Sequence, residues 1–171
     1  NPARITVQNQ TSLSPTHQVR SFMQPLLHEK ESQLMTKSGK QWFGETFDEV
    51  ASVDFNFSLT DREEGVPAIL EVSVAGRSYD ENAFQAVYNG ETLFNISIAG
   101  IQPSLMTRVY ARPGSTQVNF MPQSDNITLT LKHLKNNAYS IGYLDYIELN
   151  VPRKLRFTGP QLLFWNIPKP Q

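Results

Sequence analysis

The chain has 171 residues with 15 basic and 16 acidic side chains, so its formal net charge is -1. That length suits one domain with a real core, and the near-balanced charge leaves no basic footprint for nucleic acid or anionic membranes. There is no cysteine, which removes disulfides, thiolate metal sites and cysteine nucleophiles together, and no apolar run is long enough to span a membrane.

The first 40 residues are mixed in pattern. The chain opens on Asn1-Pro2 with no signal peptide, and a processed or excised fragment would look the same. Arg4 to Gln8 reads as a short strand, and Asn9 to Pro15 as polar turn material. Apolar residues at Phe22, Met23, Leu26, Leu27 and Leu34 keep neither the helix nor the strand period, and Pro25 interrupts them. The expectation is an irregular N-terminal arm over 1–40: an extended connector with a short helical turn at Glu29 to Met35. The domain proper then covers 41–171.

From Trp42 onward the signals are β. Val53, Phe55, Phe57 and Leu59 alternate strictly, which places them on one face of a strand. Leu70, Val72 and Val74 do the same, then Phe84, Ala86 and Tyr88. Asn89-Gly90 follows, and Phe94, Ile96 and Ile98 come after it. An Asn-Gly pair between alternating runs is a hairpin signal, because both residues tolerate positive φ. Met106 to Ala111, Thr116 to Phe120 and Asn126 to Leu131 read as further strands, separated by Pro113-Gly114 and by Pro122 to Asp125. Tyr139, Ile141, Tyr143, Ile147 and Leu149 alternate along a long strand, with Val151-Pro152 breaking it. Arg153 to Phe157 and Leu162 to Trp165 form two last runs. About nine or ten short strands at this spacing predict an all-β, antiparallel β-sandwich of Greek-key or jelly-roll type.

Several residues invite a functional reading. Asp145 falls on the apolar face of the long strand; an ionised carboxylate there needs a partner, so it reads as a structural acid bridged to an arginine or to backbone amides. Tyr143 beside it, and Trp42 as the plug of one end of the sandwich, read as structural too. Asp61, Glu63 and Glu64 share one loop and Asp80 and Glu81 another. Such oxygens can hold calcium between sandwich loops, though a solvated charged loop is the commoner outcome. His17, His28 and His133 lack ligand spacing and read as surface histidines. Asn-x-Ser/Thr triplets at Asn9, Asn56, Asn95 and Asn126 read as polar positions on the solvent face rather than glycan acceptors. Phe164 and Trp165 lie in a terminal apolar run that ends abruptly, and read as an interface. No cofactor is implied.

Two blocks carry a family resemblance. Tyr139 to Asn150, followed by Arg153-Lys154-Leu155 and Gln161-Leu162-Leu163-Phe164, resembles the segment ahead of the peptidase domain in type IX secretion system sortases. These are gingipain-like cysteine peptidases of the outer surface of Gram-negative bacteria, in which a Leu-Asp-Tyr-Ile-Glu run precedes a basic pair and a Gln-hydrophobic-Leu-Phe run. Ser38 to Phe47 resembles the family's Ser-Gly-Arg-Glu-Trp-aromatic-Gly-Glu-x-Phe, with Lys40 and Gln41 as departures. The resemblance implies a cell-surface location outside the outer membrane. It also implies a downstream cysteine peptidase domain in the same chain as partner, with secreted cargo or other secretion components as further partners. This chain has no thiol to serve as nucleophile, so the expected role is a non-catalytic scaffold or docking module. The competing expectation is a carbohydrate-binding module using Trp42, Phe43, Tyr79, Tyr88, Tyr110, Tyr143 and Trp165.

Overall fold

A computed structural model describes residues 19–34, 41–102 and 109–157. These form β1 (Ser21–Glu29), β2 (Gln33–Leu34), β3 (Trp42–Phe43), β4 (Thr46–Phe47), β5 (Ser52–Ser58), β6 (Ala68–Arg77), β7 (Asn82–Tyr88), β8 (Glu91–Ile98), β9 (Arg112–Phe120), β10 (Asn126–Leu134) and β11 (Ile141–Lys154), with no helix among the described residues. All pairings are antiparallel. One sheet runs β1-β11-β6-β9, with β4 also on β11; the other runs β5-β10-β7-β8; β2 and β3 pair separately.

The eight long strands nest. The first pairs with the last (β1 with β11), β5 with β10, β6 with β9, and β7 with β8. That order is a single long hairpin rolled into two sheets, the jelly roll. Its tip is Asn89-Gly90, where φ is 50° and 82° and Tyr88 pairs with Glu91. Two positive φ values in a two-residue loop match the right-handed twist of the flanking strands. The core lies between the sheets, with Phe47, Leu70, Phe84, Leu144 and Leu149 fully enclosed. Their alternation along each strand is what makes one face of each sheet apolar.

Three prolines do not do what their sequence context suggests. Pro25 lies inside β1, so Ser21 to Glu29 is an edge strand of the first sheet rather than a connector. The helical turn expected from Glu29 is absent as far as Leu34, where Gln33–Leu34 pairs with Trp42–Phe43; Met35 lies outside the described residues. Pro113 lies inside β9, the opposite edge, and the strand starts at Arg112 rather than within 106–111. Residues 106–108 of that expected strand lie outside the described set, as do the expected strand at Arg4 to Gln8 and the run at Leu162 to Trp165. Pro152 lies inside β11, beyond the last pair with β6 at Asn150 and Ile69, where β1 is its ladder neighbour. A residue without an N–H is tolerated wherever one side of the strand has no ladder to donate to.

β11 also changes phase. Its ladder with β6 slips between Leu144 and Tyr146, leaving Asp145 as the extra residue of a β-bulge. Ahead of the bulge Gly142 and Leu144 face the core; after it Ile147, Leu149 and Val151 do. Tyr143 and Ile141 therefore lie on the outer face, packed with Phe43, Ala75 and Ala111, and do not share a face with Ile147 and Leu149 as the period of two suggests.

At Gly142 the two sheets approach closely: a Cβ there would lie 2.5 Å from Phe84 Cζ and 2.9 Å from His133 Cγ. Both neighbours are ring atoms in the core, so they have little room to yield. Gly142→Ala should lower stability by about 1–3 kcal/mol, read as a lower urea midpoint at unchanged slope. An unchanged midpoint would show that the sheets separate without strain.

Candidate functional site

The acids nominated from the sequence lie in two places, at opposite ends of β6. Asp61, with φ 58°, places one carboxylate oxygen 3.5 Å from Arg153 and the other 3.5 Å from Arg156. Its carbonyl accepts from Lys154 N, and Glu63 N donates to Pro152 O. Arg62 lies 3.0 Å from Asp125, close but not aligned as a hydrogen bond. This loop is a bracket that ties the β5–β6 connection to the end of β11. A cation at Asp61 would have to displace two guanidinium groups. Asp80 accepts from Asn137 Nδ2 at 2.8 Å. Among the described residues no three His, Asp or Glu side chains gather as a metal site.

Asp145 is not inward. Its carboxylate accepts from Ser73 Oγ and Gln41 Nε2, each at 2.9 Å, so hydroxyl and amide donors from β6 and the segment before β3 fix it rather than an arginine or backbone amides. Trp42 is half-exposed in β3; the ring of that pair that enters the protein is Phe43, whose centroid lies 6.0 Å from that of Tyr143. Burial, then hydrogen bonding with Tyr110, push the Tyr143 phenol up to about 12, so it stays a neutral donor near neutral pH. Phe164 and Trp165 lie outside the described residues.

Two histidines depart from the surface positions expected of them. His28 bonds Glu45 at 3.2 Å and sets its ring edge against Phe55, centroids 4.8 Å apart. His133 is 2% exposed, stacked on Phe84 at 4.8 Å. The alternation Ile127, Leu129, Leu131 continues into His133, a signal the sequence carried. His133 Nδ1 lies 3.3 Å from Phe47 O, which only accepts, so Nδ1 carries the proton. Nε2 then accepts from the Ser140 hydroxyl at 3.4 Å. Asn82 lies 3.1 Å from the same nitrogen, and its amide nitrogen otherwise lacks a partner. Turning that nitrogen toward the ring satisfies both groups. A serine, histidine and asparagine in a row resemble a nucleophilic relay, but Ser140 is 0% exposed. No substrate reaches it, and the cluster is a buried polar pin between β7, β10 and the start of β11.

The remaining exposed groups divide by location. On the outer face of the second sheet Asn56 accepts from Thr128, Asp54 from Thr130 and Asn95 from Gln85; with Asn126 these are solvent-facing positions, while Asn9 and His17 lie outside the described residues. Where β11 ends, Leu155 N donates to Arg20 O, which joins the segment carrying Val19 to the one carrying Leu155 and Phe157. Val66 and Met121 flank the Ala68–Phe120 pair at the same end. All five are exposed, Phe157 most of all at 69%.

No family model and no curated protein matches the chain. Among solved structures, the crystal structure of dimeric latent PorU from Porphyromonas gingivalis is similar, with TM-score 0.70 and 16% identity over 91% of this chain. The match takes in 15% of that PorU chain, so this chain spans a small fraction of its length and shares its fold over that stretch. Two carbohydrate-binding modules are more distant. The CBM36-1 domain of a multidomain xylanase from the hindgut metagenome of Trinervitermes trinervoides has TM-score 0.48 and 12% identity, over 74% of this chain and 96% of that one. A CBM36 in complex with calcium and xylotriose has TM-score 0.46 and 13% identity, over 74% and 98%. Likeness at that level carries no inference about ligands.

The buried cluster predicts a pH dependence. Burial lowers the His133 pKa from 6.5, against a raising contribution from the Phe47 carbonyl, with Lys135 lowering it further. The unfolded chain therefore takes up this proton first as pH falls. The stability that the neutral ring supplies is fully present above about 6.5 and is lost as pH drops from there toward the folded value, at about 1.4 kcal/mol per unit of separation. Between pH 7.5 and 5.5 the native chain should lose more melting temperature than His133→Gln. Equal losses in both proteins would refute the assignment.

Proposed function

We propose that this chain is a non-catalytic jelly-roll module of a type IX sortase-like surface protein, and that it packs end-on against the peptidase domain following it in the same chain. The observation that carries this is the apolar end: Val19, Val66, Met121, Leu155 and Phe157 are all exposed at the end of the first sheet where the described chain leaves β11. A cluster of exposed apolar side chains at one end of a domain marks a contact surface. Phe164 and Trp165 continue the apolar character along the sequence. The lack of cysteine, the two motif blocks and the fold shared with PorU, a type IX sortase, support the same reading. It brings with it a place on the outer surface of a Gram-negative bacterium, with secreted cargo or other secretion components as further partners.

A carbohydrate-binding role draws less support. Of the aromatics nominated for it, Phe43, Tyr88 and Tyr143 are buried, and the Arg77 guanidinium covers one face of Tyr110 at 4.4 Å. A sugar-stacking platform needs open ring faces.

The test is gel filtration of this chain mixed with the separately produced peptidase domain. A complex should form at micromolar concentration, and Phe157→Ala or Trp165→Ala should weaken it about tenfold or more, the usual consequence of truncating an aromatic anchor. Clean separation of the native pair at that concentration would overturn the reading.

A further inference from the structure

The other end of the first sheet differs in chemistry. Arg77 closes β6, Arg112 opens β9, and Tyr79, Tyr110 and Tyr139 lie on the segments next to them. The loops holding Tyr79 and Tyr139 are joined: Asn137 Nδ2 donates to Ser78 Oγ at 3.2 Å and to Asp80 Oδ2 at 2.8 Å, and Asn137 Oδ1 accepts from Tyr139 N at 3.0 Å. Ile101 N donates to Ser78 O, and Arg112 Nε donates to Gly100 O at 3.1 Å. The two tyrosines are thus presented by braced loops, yet they are 68% and 84% exposed.

Arginine without a carboxylate is the second feature. Arg77 donates to Tyr110 Oη at 2.8 Å and stacks on its ring, and among the described residues neither Arg77 nor Arg112 has an ion-pair partner. Stacking on Tyr110 and hydrogen bonds to the Tyr110 and Tyr143 hydroxyls hold the guanidinium in place, and its remaining donors meet no carboxylate among the described residues. A fixed fork of that kind fits a carboxylate in bidentate geometry. Tyrosine and arginine are also the residue types that dominate protein interface energetics.

We propose that this end is a second docking surface, for a protein segment that presents an aspartate or glutamate among apolar side chains. Arg77 takes the carboxylate, and Tyr79 and Tyr139 cover the apolar flank. A protein is favoured over a glycan because the Tyr110 face nearest the cation is already occupied. The surface lies at the far end of β11 from the apolar exit, so it stands whether or not the peptidase domain packs there.

The experiment selects random twelve-residue peptides by display on the immobilised native 171-residue chain, with a counter-selection on Arg77→Glu. Enriched peptides should share an acidic residue beside an aromatic or aliphatic one, and should shift amide resonances around Arg77 and Tyr79. Binding should fall at least tenfold with Arg77→Glu or Tyr79→Ala at unchanged melting temperature. Replacing the peptide's acid by lysine should restore binding to Arg77→Glu. Enrichment without an acid, resonance shifts elsewhere, or no enrichment would overturn the proposal. So would Arg77-dependent binding to a glycan array in place of peptides.

Discussion

The arrangement of the first sheet depends on one extra residue. β-strand side chains alternate strictly, so a strand held in ladders along fourteen residues commits every second side chain to the core. β11 needs Leu144 inside, and also Ile147, Leu149 and Val151, which an unbroken alternation cannot supply. The bulge at Asp145 absorbs the mismatch. Without it, either the Leu144 side or the Ile147 side would turn to solvent, at about 1.5–3 kcal/mol for each large apolar side chain exposed. The carboxylate is fixed by Ser73 and Gln41, so the bulge is anchored from β6 and from the segment ahead of β3. Backbone bonds from Gly44 N to Leu144 O and from Leu144 N to Glu45 O hold the residue just before it. The same break divides the other edge of β11, with β4 alongside Gly142 and Tyr143 and β1 alongside Tyr146 to Lys154.

Nesting gives the fold a hierarchy of range. The β7–β8 hairpin closes locally through Asn89-Gly90, whereas β1 and β11 pair Ser21 with Lys154 across nearly the whole chain. Loop-closure entropy rises with separation, so the outer pairs rest on the inner ones already being in place. The His133 cluster falls between these levels. It joins Asn82 at the start of β7, Phe47 of β4 and Ser140 ahead of β11, segments that no single ladder connects. A satisfied buried polar group of this kind favours one arrangement of the sheets, because any other leaves its members unpaired.

Much of this was legible in the sequence, and the parts that were not share a cause. The alternations at Val53 to Leu59, Leu70 to Val74 and Phe84 to Tyr88, and the Asn-Gly turn, are local signals, and they locate β5 to β8. Pro25, Pro113 and Pro152 signal a break only if the strand is paired on both sides, and which strands lie at an edge is a property of the assembled sheet. Asp145 looked inward because a period was carried through a bulge that depends on β6. His133 is the exception: its inward phase was readable from Ile127, Leu129 and Leu131, and its residue type obscured it. At the candidate surfaces, the cationic partners of Asp61 come from β11 and from the residues just after it, ninety residues further on, and no spacing rule predicts them.

The distribution of polar and apolar groups explains why the proposed contact surfaces fall at the ends of this roll. The inner faces are consumed by the core, and the outer face of the second sheet pairs its own polar side chains, Thr128 with Asn56 and Thr130 with Asp54. A partner laid on that face would have to break bonds already made, for little net gain per hydrogen bond. The ends present the opposite balance. At one, apolar side chains remain in water with nothing to lose on burial but side-chain freedom. At the other, the Arg77 guanidinium lies over the Tyr110 ring with no carboxylate partner among the described residues. With a contact proposed at each end, the module would hold two neighbours apart at a fixed distance. The fourteen residues of β11, at about 3.3 Å each, set that distance at roughly 45 Å.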